Sequence, residues 1–159
     1  MKRWAVMGSA ILVLSFLAGC NAAIERWLGS GYSTNGERIY FTATSDRGTP
    51  ISYRGGPGMP GMMRGRLACV ICHGPDGRGG RTFMMMRSIE APDIRYRTLT
   101  QEMEHEEGEA HPPYIDELIV RAITQGLDPA GNPLDWSMPR WSMSEEDLND
   151  LLEFLKSLP

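Results

Sequence analysis

The sequence predicts a small, mainly α-helical domain, and three observations point to this fold class. Two stretches in the C-terminal part, 113–126 and 144–158, carry apolar residues at helical spacing. A Cys-x-x-Cys-His motif at 69–73 supplies a centre around which they can pack. The 159 residues are enough for one domain once an N-terminal apolar segment is set aside.

Cys69, Cys72 and His73 form the most informative motif of the chain. This spacing is typical of covalent haem attachment, because one turn brings both sulfurs to the vinyl groups of one porphyrin and the imidazole to its iron. A redox dithiol and half of a zinc site are the alternatives. A dithiol should accompany a βαβ pattern, which the sequence lacks, and zinc normally needs a second pair of ligands, which the remaining Cys and His residues do not form. We therefore predict one covalently attached haem c.

Residues 1–19 have the layout of a secretory signal, in which Lys2 and Arg3 precede an apolar run too short to span a bilayer comfortably. The ending Leu-Ala-Gly-Cys resembles a bacterial lipoprotein signal, which is cut before a cysteine, here Cys20, that becomes lipidated. An ordinary signal or an uncleaved anchor is the alternative. Because haem is attached to such motifs outside the cytoplasm, we expect an exported lipoprotein, anchored through Cys20 on the periplasmic or outer side of a bacterial membrane.

The cysteine count and the charge agree with this assignment. Of three cysteines, one is assigned to the lipid and two to thioethers, so no disulfide is predicted. Removing residues 1–19 takes away two of 16 basic residues and no acidic one, which leaves 14 against 20 and a formal charge of −6. Nucleic-acid partners normally require a basic surface, so none is expected.

Residues 20–35 are small and polar, and we interpret them as a tether between the lipid and a domain that spans 36–159. Within 36–66, the segments 39–44 and 49–53 are rich in β-branched and aromatic residues and are joined by a turn at 45–48. This pattern predicts a small β-hairpin, followed by a glycine-rich loop, as an insertion before the haem motif. The alternative is that Gly36 and the residues after it begin an N-terminal helix.

Two helices follow the haem motif, beyond an acidic and apparently solvated stretch at 101–111. Pro113 is expected to begin the first and Gly126 to end it. Ser144 is the predicted N-cap of the second, with acidic residues in its positively polarised first turn. The apolar stripes that the haem would cover are Ile115, Leu118, Ile119, Ala122 and Ile123 in the first helix and Leu148, Leu151, Leu152 and Leu155 in the second.

Met138 is the predicted sixth ligand of the iron. It lies in a short loop between the two helices, and Pro139 restricts it to an extended backbone, which suits a thioether that projects from a loop. A core methionine that fills a gap is one alternative. Ligation by His105 or His111 is the other, although both lie in the acidic stretch.

Several motifs follow one another along residues 69–159. They are Cys69-Val-Ile-Cys72-His73-Gly74, Ala91-Pro92-Asp93-Ile94, the helix that ends at Gly126, Met138-Pro139-Arg140-Trp141 and the C-terminal helix. In their order and spacing, these motifs resemble the class I cytochrome c family. The resemblance implies a class I cytochrome c-like helical domain around one covalent haem. It also implies thioethers at Cys69 and Cys72, His73 as proximal ligand and Met138 as distal ligand, with the Pro92 carbonyl accepting the imidazole N–H. The departure lies before the motif, where the family usually has a helix.

Trp136 and Trp141, on either side of Met138, are expected to wall the haem or to bond a propionate. With both axial positions filled, we expect an electron carrier rather than an enzyme, meeting redox partner proteins through small interfaces. The alternatives are a haem subunit of a larger oxidoreductase complex, and a haem sensor or catalytic domain with a sixth site that opens. The methionines at 59–63 and 84–86 could bind Cu(I), but we favour a packing role for them.

Overall fold

The computed structural model of the chain describes residues 31–57, 67–84, 87–101 and 112–159. Residues Thr34–Pro159 form one compact unit. Its helices are α1 (Asn35–Thr42), α2 (Cys69–His73), α3 (Tyr96–Leu99), α4 (Asp116–Gln125) and α5 (Glu145–Ser157). Its strands are β1 (Ser52–Arg54), β2 (Gly80–Met84), β3 (Arg87–Ala91) and β4 (Arg140–Ser142). Helices supply most of the regular structure, as predicted.

Helix α1 occupies the segment for which a hairpin was predicted, and that prediction is wrong. The side-chain oxygen of Thr34 accepts a hydrogen bond from the Glu37 amide and caps the helix, which ends at Ala43 in the left-handed conformation. Asn35 and its cap, assigned above to the tether, therefore belong to the folded domain. The remainder of the tether before residue 31, like the signal segment and Cys20, lies outside the described residues.

Packing against α5 explains why this β-rich segment is helical. Ile39 and Tyr40 are almost fully buried, and the Tyr40 ring lies 5.2 Å from the Phe154 ring. A Cβ on Gly36 would lie 1.9 Å from the Asp150 carbonyl oxygen, so this glycine allows the two helices to approach closely. Tertiary burial of this kind overrides the modest β propensity of the segment.

The strands form two small antiparallel sheets. Strand β1, part of the second strand predicted for the hairpin, pairs instead with β4, and Tyr53 lies opposite Trp141. The actual hairpin joins β2 to β3 after the haem motif, a region for which no strand was predicted. Ile89 on its inner face is buried, whereas Phe83 on the other face is 76% exposed.

The two helices predicted in the C-terminal part are present. Helix α4 begins at Asp116, later than predicted, because Ile115 has extended backbone geometry and is exposed. Gly126 ends this helix at φ 70°. Ser144 caps α5 as predicted, since its side chain accepts a hydrogen bond from the Asp147 amide.

The core lies among α1, α4, α5 and the β4 strand. Its buried members include Ile39, Tyr40, Leu67, Tyr114, Ile119, Ile123, Trp141, Leu151, Leu152 and Leu155. No helix in the described ranges has the length and hydrophobicity needed to cross a membrane. The acidic stretch from 102 to 111 lies outside those ranges.

Candidate haem site

A cavity with two lobes brings the predicted site residues together. Cys69, His73, Pro92, Met138 and Trp141 line both lobes, and Leu134 does so too. The inner lobe is lined mainly by apolar side chains, and those from α4 and α5 include Ile119, Ile123, Leu151 and Leu155. The outer lobe is bounded by Cys72, by β3 and by the polar residues Asp135 and Ser137. The cavity volume is about 110 Å³ in the inner lobe and about 190 Å³ in the outer lobe.

The two cysteines of the motif lie on the single turn of helix α2. Ala68 precedes this turn in extended geometry, and the Gly74 amide donates to the Val70 carbonyl oxygen at its end, 3.0 Å away. Both thiols are free, and burial raises the pKa of Cys69 to about 12 and also raises that of Cys72. A reactive dithiol needs a lowered thiol pKa, so this environment disfavours the redox alternative.

The imidazole of His73 is buried and held by one hydrogen bond. Its Nδ1 lies 3.0 Å from the Pro92 carbonyl oxygen. Because a carbonyl can only accept, Nδ1 carries the proton and Nε2 keeps its lone pair. Burial lowers the pKa of His73, and the bond to Pro92 only partly opposes this effect. The structure thus favours a neutral imidazole, which is the form that ligates a metal.

Gly79 brings the His73 and Pro92 segments together. Its amide donates to the His73 carbonyl oxygen at 2.9 Å, and its φ of 70° is left-handed. A Cβ at this position would lie 2.2 Å from the Ala91 carbonyl oxygen and 2.4 Å from that of Pro92. A side chain here would therefore push Pro92 away from the imidazole.

Met138 is half-buried in the loop that joins α4 to β4 and faces both lobes of the cavity. Its amide donates to the Asp135 carbonyl oxygen at 3.2 Å. The guanidinium of Arg140 donates to the carbonyl oxygens of Met138 and Asp135 in the same loop. No sequence pattern indicates a role for Arg140, because the main-chain groups that surround it are set by the fold.

The two tryptophans near Met138 have different environments. Trp141 is 7% exposed, lines the cavity and packs against Tyr53, with 5.0 Å between the ring centroids. Trp136 is 52% exposed and lies under the Arg87 guanidinium, 5.6 Å from it. Of these two, Trp141 lines the cavity, whereas the exposed Trp136 does not, contrary to the expectation for it.

Tyr40 is a second residue near the site that the sequence analysis missed. Its hydroxyl donates to the carbonyl oxygen of Gly74, which directly follows the haem motif, at 2.6 Å. Burial raises the pKa of Tyr40, so the hydroxyl stays protonated as a donor. An aromatic residue in a segment predicted as strand gave no signal of this contact.

These residues fit a covalently held haem. Two thiols are presented on one turn, an imidazole and a thioether side chain line the same cavity, and apolar side chains line its inner lobe. Such a donor set suits haem c. In the part of the chain described, no group of three or more His, Cys, Asp or Glu residues could hold a metal ion. The rival ligands His105 and His111 and the methionines at 59–63, 85 and 86 lie outside that part.

A comparison with protein-family models gives one result and two comparisons with individual proteins give none. The family model described as Cytochrome c matches residues 33–159, which is most of the chain. No curated protein and no solved structure matches it. The match covers the haem motif, the cavity and all five helices described above. The chain therefore belongs to the class I cytochrome c family, whose members carry covalently bound haem c and transfer electrons.

Proposed function

We propose that this protein is a membrane-anchored, single-haem electron carrier in which His73 and Met138 fill both axial positions of the iron. Cys69 and Cys72 carry the thioethers in this proposal. The observation that supports it most is that all of these side chains line one cavity, in which the His73 imidazole is already oriented by Pro92.

Contacts within the chain orient His73 on the proximal side of the site. The bond from Nδ1 to the Pro92 carbonyl fixes the plane and tautomer of His73 and increases the basicity of Nε2. Gly79 keeps the Pro92 segment close enough for that bond. These contacts would hold His73 in the orientation and tautomer that it needs to bind the haem iron.

On the distal side, Met138 and an apolar lining suit an iron that external ligands do not reach. Haem c supplies a one-electron iron couple, and a thioether ligand and an apolar pocket both raise its potential. Met138 would supply the thioether, and Leu151, Leu155 and Ile119 give the inner lobe an apolar lining. An iron held by both His73 and Met138 would leave no position for a substrate, so the protein would act as a carrier rather than an enzyme.

The outer lobe is the side on which partners are expected. Cys72 lies there beside the polar residues Asp135 and Ser137, and the neighbouring Ile71 is 38% exposed. Redox partners bind briefly through small interfaces, so a small exposed edge of this kind is sufficient. Its donor and acceptor proteins would meet the cytochrome at this edge.

The membrane anchor is proposed from the sequence. Cys20 follows an apolar segment with a lipoprotein-type ending, and lipid at this residue would hold the domain through residues 21–33. The test is expression with a radiolabelled fatty acid in a bacterial host. Label and membrane association are expected in the wild type and absent from Cys20→Ser. Unlabelled protein, released in soluble form, would contradict the anchor without affecting the haem assignment.

The ligation is tested by optical spectroscopy of the purified holoprotein. A c-type reduced spectrum is expected, together with a weak far-red band of the oxidised protein that arises from the thioether–iron bond. Met138→Ala should remove the far-red band. Met143→Ala is the matched control, because Met143 packs on the core but does not line the haem cavity. A band that survives in Met138→Ala would place the distal ligand elsewhere.

A further inference from the structure

Arg140 follows Met138 and Pro139 in the chain and has no part in the ligation proposed above. We propose that Arg140 is a positioning residue, whose guanidinium holds the Met138 loop in the conformation that presents the thioether to the iron. This inference rests on the proposed ligation by Met138. It adds a residue that acts on the ligand through the main chain.

The contacts of the guanidinium converge on main-chain oxygens. One nitrogen, Nη1, donates to Asp135 at 3.1 Å and to the carbonyl of Met138 itself. The other, Nη2, donates to Leu134 at 2.7 Å and to Gly126 at 3.4 Å. A guanidinium has five donors in a planar fork, so one side chain can bind several carbonyl groups at once.

These oxygens come from both ends of the segment that carries the ligand. Gly126 caps helix α4, and the Leu134 amide donates to the Gly126 carbonyl at 2.8 Å. Arg140 begins strand β4, which is paired with β1. The guanidinium therefore connects the end of a core helix, the loop and a core strand, with the Met138 backbone between them.

Gly126 shows independently that the fold leaves space for this group. A Cβ on Gly126 would lie 1.9 Å from Arg140 Nε and 2.3 Å from Cζ. The glycine has a φ of 70°, so it both ends α4 and leaves room for the guanidinium. A side chain at this position would overlap the guanidinium and prevent its contacts with the loop.

The physical reason to expect an effect on ligation is preorganisation. A thioether is a weak, neutral ligand, and it competes with water or added bases if its loop is free to move. Holding the backbone in place reduces the entropy lost when Met138 binds, which favours the bound state. Arg140 should therefore control how readily an external ligand displaces Met138.

The experiment measures imidazole binding to the oxidised holoprotein in wild type, Arg140→Gln and Arg140→Lys. Loss of even one charged hydrogen bond should tighten imidazole binding by about tenfold or more in Arg140→Gln. It should also lower the pH at which the far-red band disappears. Arg140→Lys, which keeps the charge but not the fork, should fall between the two proteins.

Arg47→Gln is the matched control. Arg47→Gln also removes a guanidinium that has several hydrogen-bond partners. Those partners are Asp147 and Asp150, and neither lines the haem cavity. This variant should be less stable to urea while its imidazole affinity stays within about twofold of wild type, because its ligand loop is intact.

Different outcomes would overturn this inference and the proposed function. Equal imidazole affinity in wild type, Arg140→Gln and Arg140→Lys would overturn the inference, as would an equal change in Arg47→Gln. A far-red band that persists in Met138→Ala would instead overturn the proposed ligation. If Arg140→Gln does not fold, an unchanged affinity in Arg140→Lys still overturns the role of Arg140.

Discussion

Asp147 makes a specific prediction about how acid affects this fold. Its carboxylate is fully buried in the first turn of α5, yet it is surrounded by donors. Asn35 and Ser45 donate to it at 2.9 and 2.7 Å, Thr49 donates to its other oxygen, and Arg47 lies 3.2 Å away. The network fastens the loop after α1 to the C-terminal helix. Asp147→Asn should weaken this connection and remove its dependence on pH.

The direction of the pH effect follows from the pKa of Asp147. Burial acts to raise this pKa, but the hydrogen bonds from Thr49, Ser45 and Asn35 outweigh it and lower the pKa from 3.8 to about 2. A lowered pKa in the folded state stabilises the fold above the unfolded value. That contribution is lost as the pH falls from about 4 towards 2. The difference corresponds to roughly 2 kcal/mol.

Asparagine keeps the size of the side chain but removes the charge, and it directs an NH2 group towards groups that donate. We therefore expect the free energy of unfolding of Asp147→Asn to be lower by about 3 kcal/mol at pH 7. Close to pH 2, where the wild-type carboxyl begins to protonate, the two proteins should differ by less. The assay is urea unfolding of the holoprotein at several pH values between 2 and 7.

Asp46→Asn is the control for this prediction, because Asp46 is 57% exposed and lies 3.9 Å from the same arginine. It should change the free energy of unfolding by less than about 1 kcal/mol at every pH. If the difference between wild type and Asp147→Asn were the same at pH 2 and pH 7, the assigned role of the buried carboxylate would be wrong.

Three further variants each test one contact of the fold. Gly36→Ala should lower the free energy of unfolding by about 3 kcal/mol or separate α1 from α5, because its Cβ would overlap the main chain of α5; unchanged urea stability would contradict the close approach. Tyr40→Phe should cost about 1 kcal/mol, since it removes only the bond to the Gly74 carbonyl, and a larger loss would mean that the ring has moved. Arg81→Ala should change the melting temperature little, because its pair with Glu90 is exposed on both sides and contributes less than about 0.5 kcal/mol.

The C-terminal half of the fold could be predicted because its signals are local. The cap at Ser144, the stop at Gly126 and the leucine stripe of α5 each depend on a few neighbouring residues. The family match also confirms the covalently bound haem c that the motif at 69–73 indicated. Helices with clear caps and periodic apolar residues need little information from the rest of the chain.

The N-terminal part could not be predicted because its structure depends on distant partners. The segment after Gly36 has β propensity, but it becomes helical where Ile39 and Tyr40 are buried against α5. Strand β1 pairs with β4 from the far end of the chain, so it had no local partner. The role of Arg140 depends on main-chain oxygens, which leave no trace in a sequence pattern.

The central claim is that Met138 closes the iron to external ligands, and the most direct test is carbon monoxide binding to the reduced holoprotein. If Met138 stays bound, the reduced spectrum of wild type should not change in buffer saturated with carbon monoxide. Met138→Ala should bind the gas at once under the same conditions. Rapid conversion of wild type to the carbon monoxide complex, as fast as in Met138→Ala, would contradict a closed electron carrier and favour a sensor or catalytic haem.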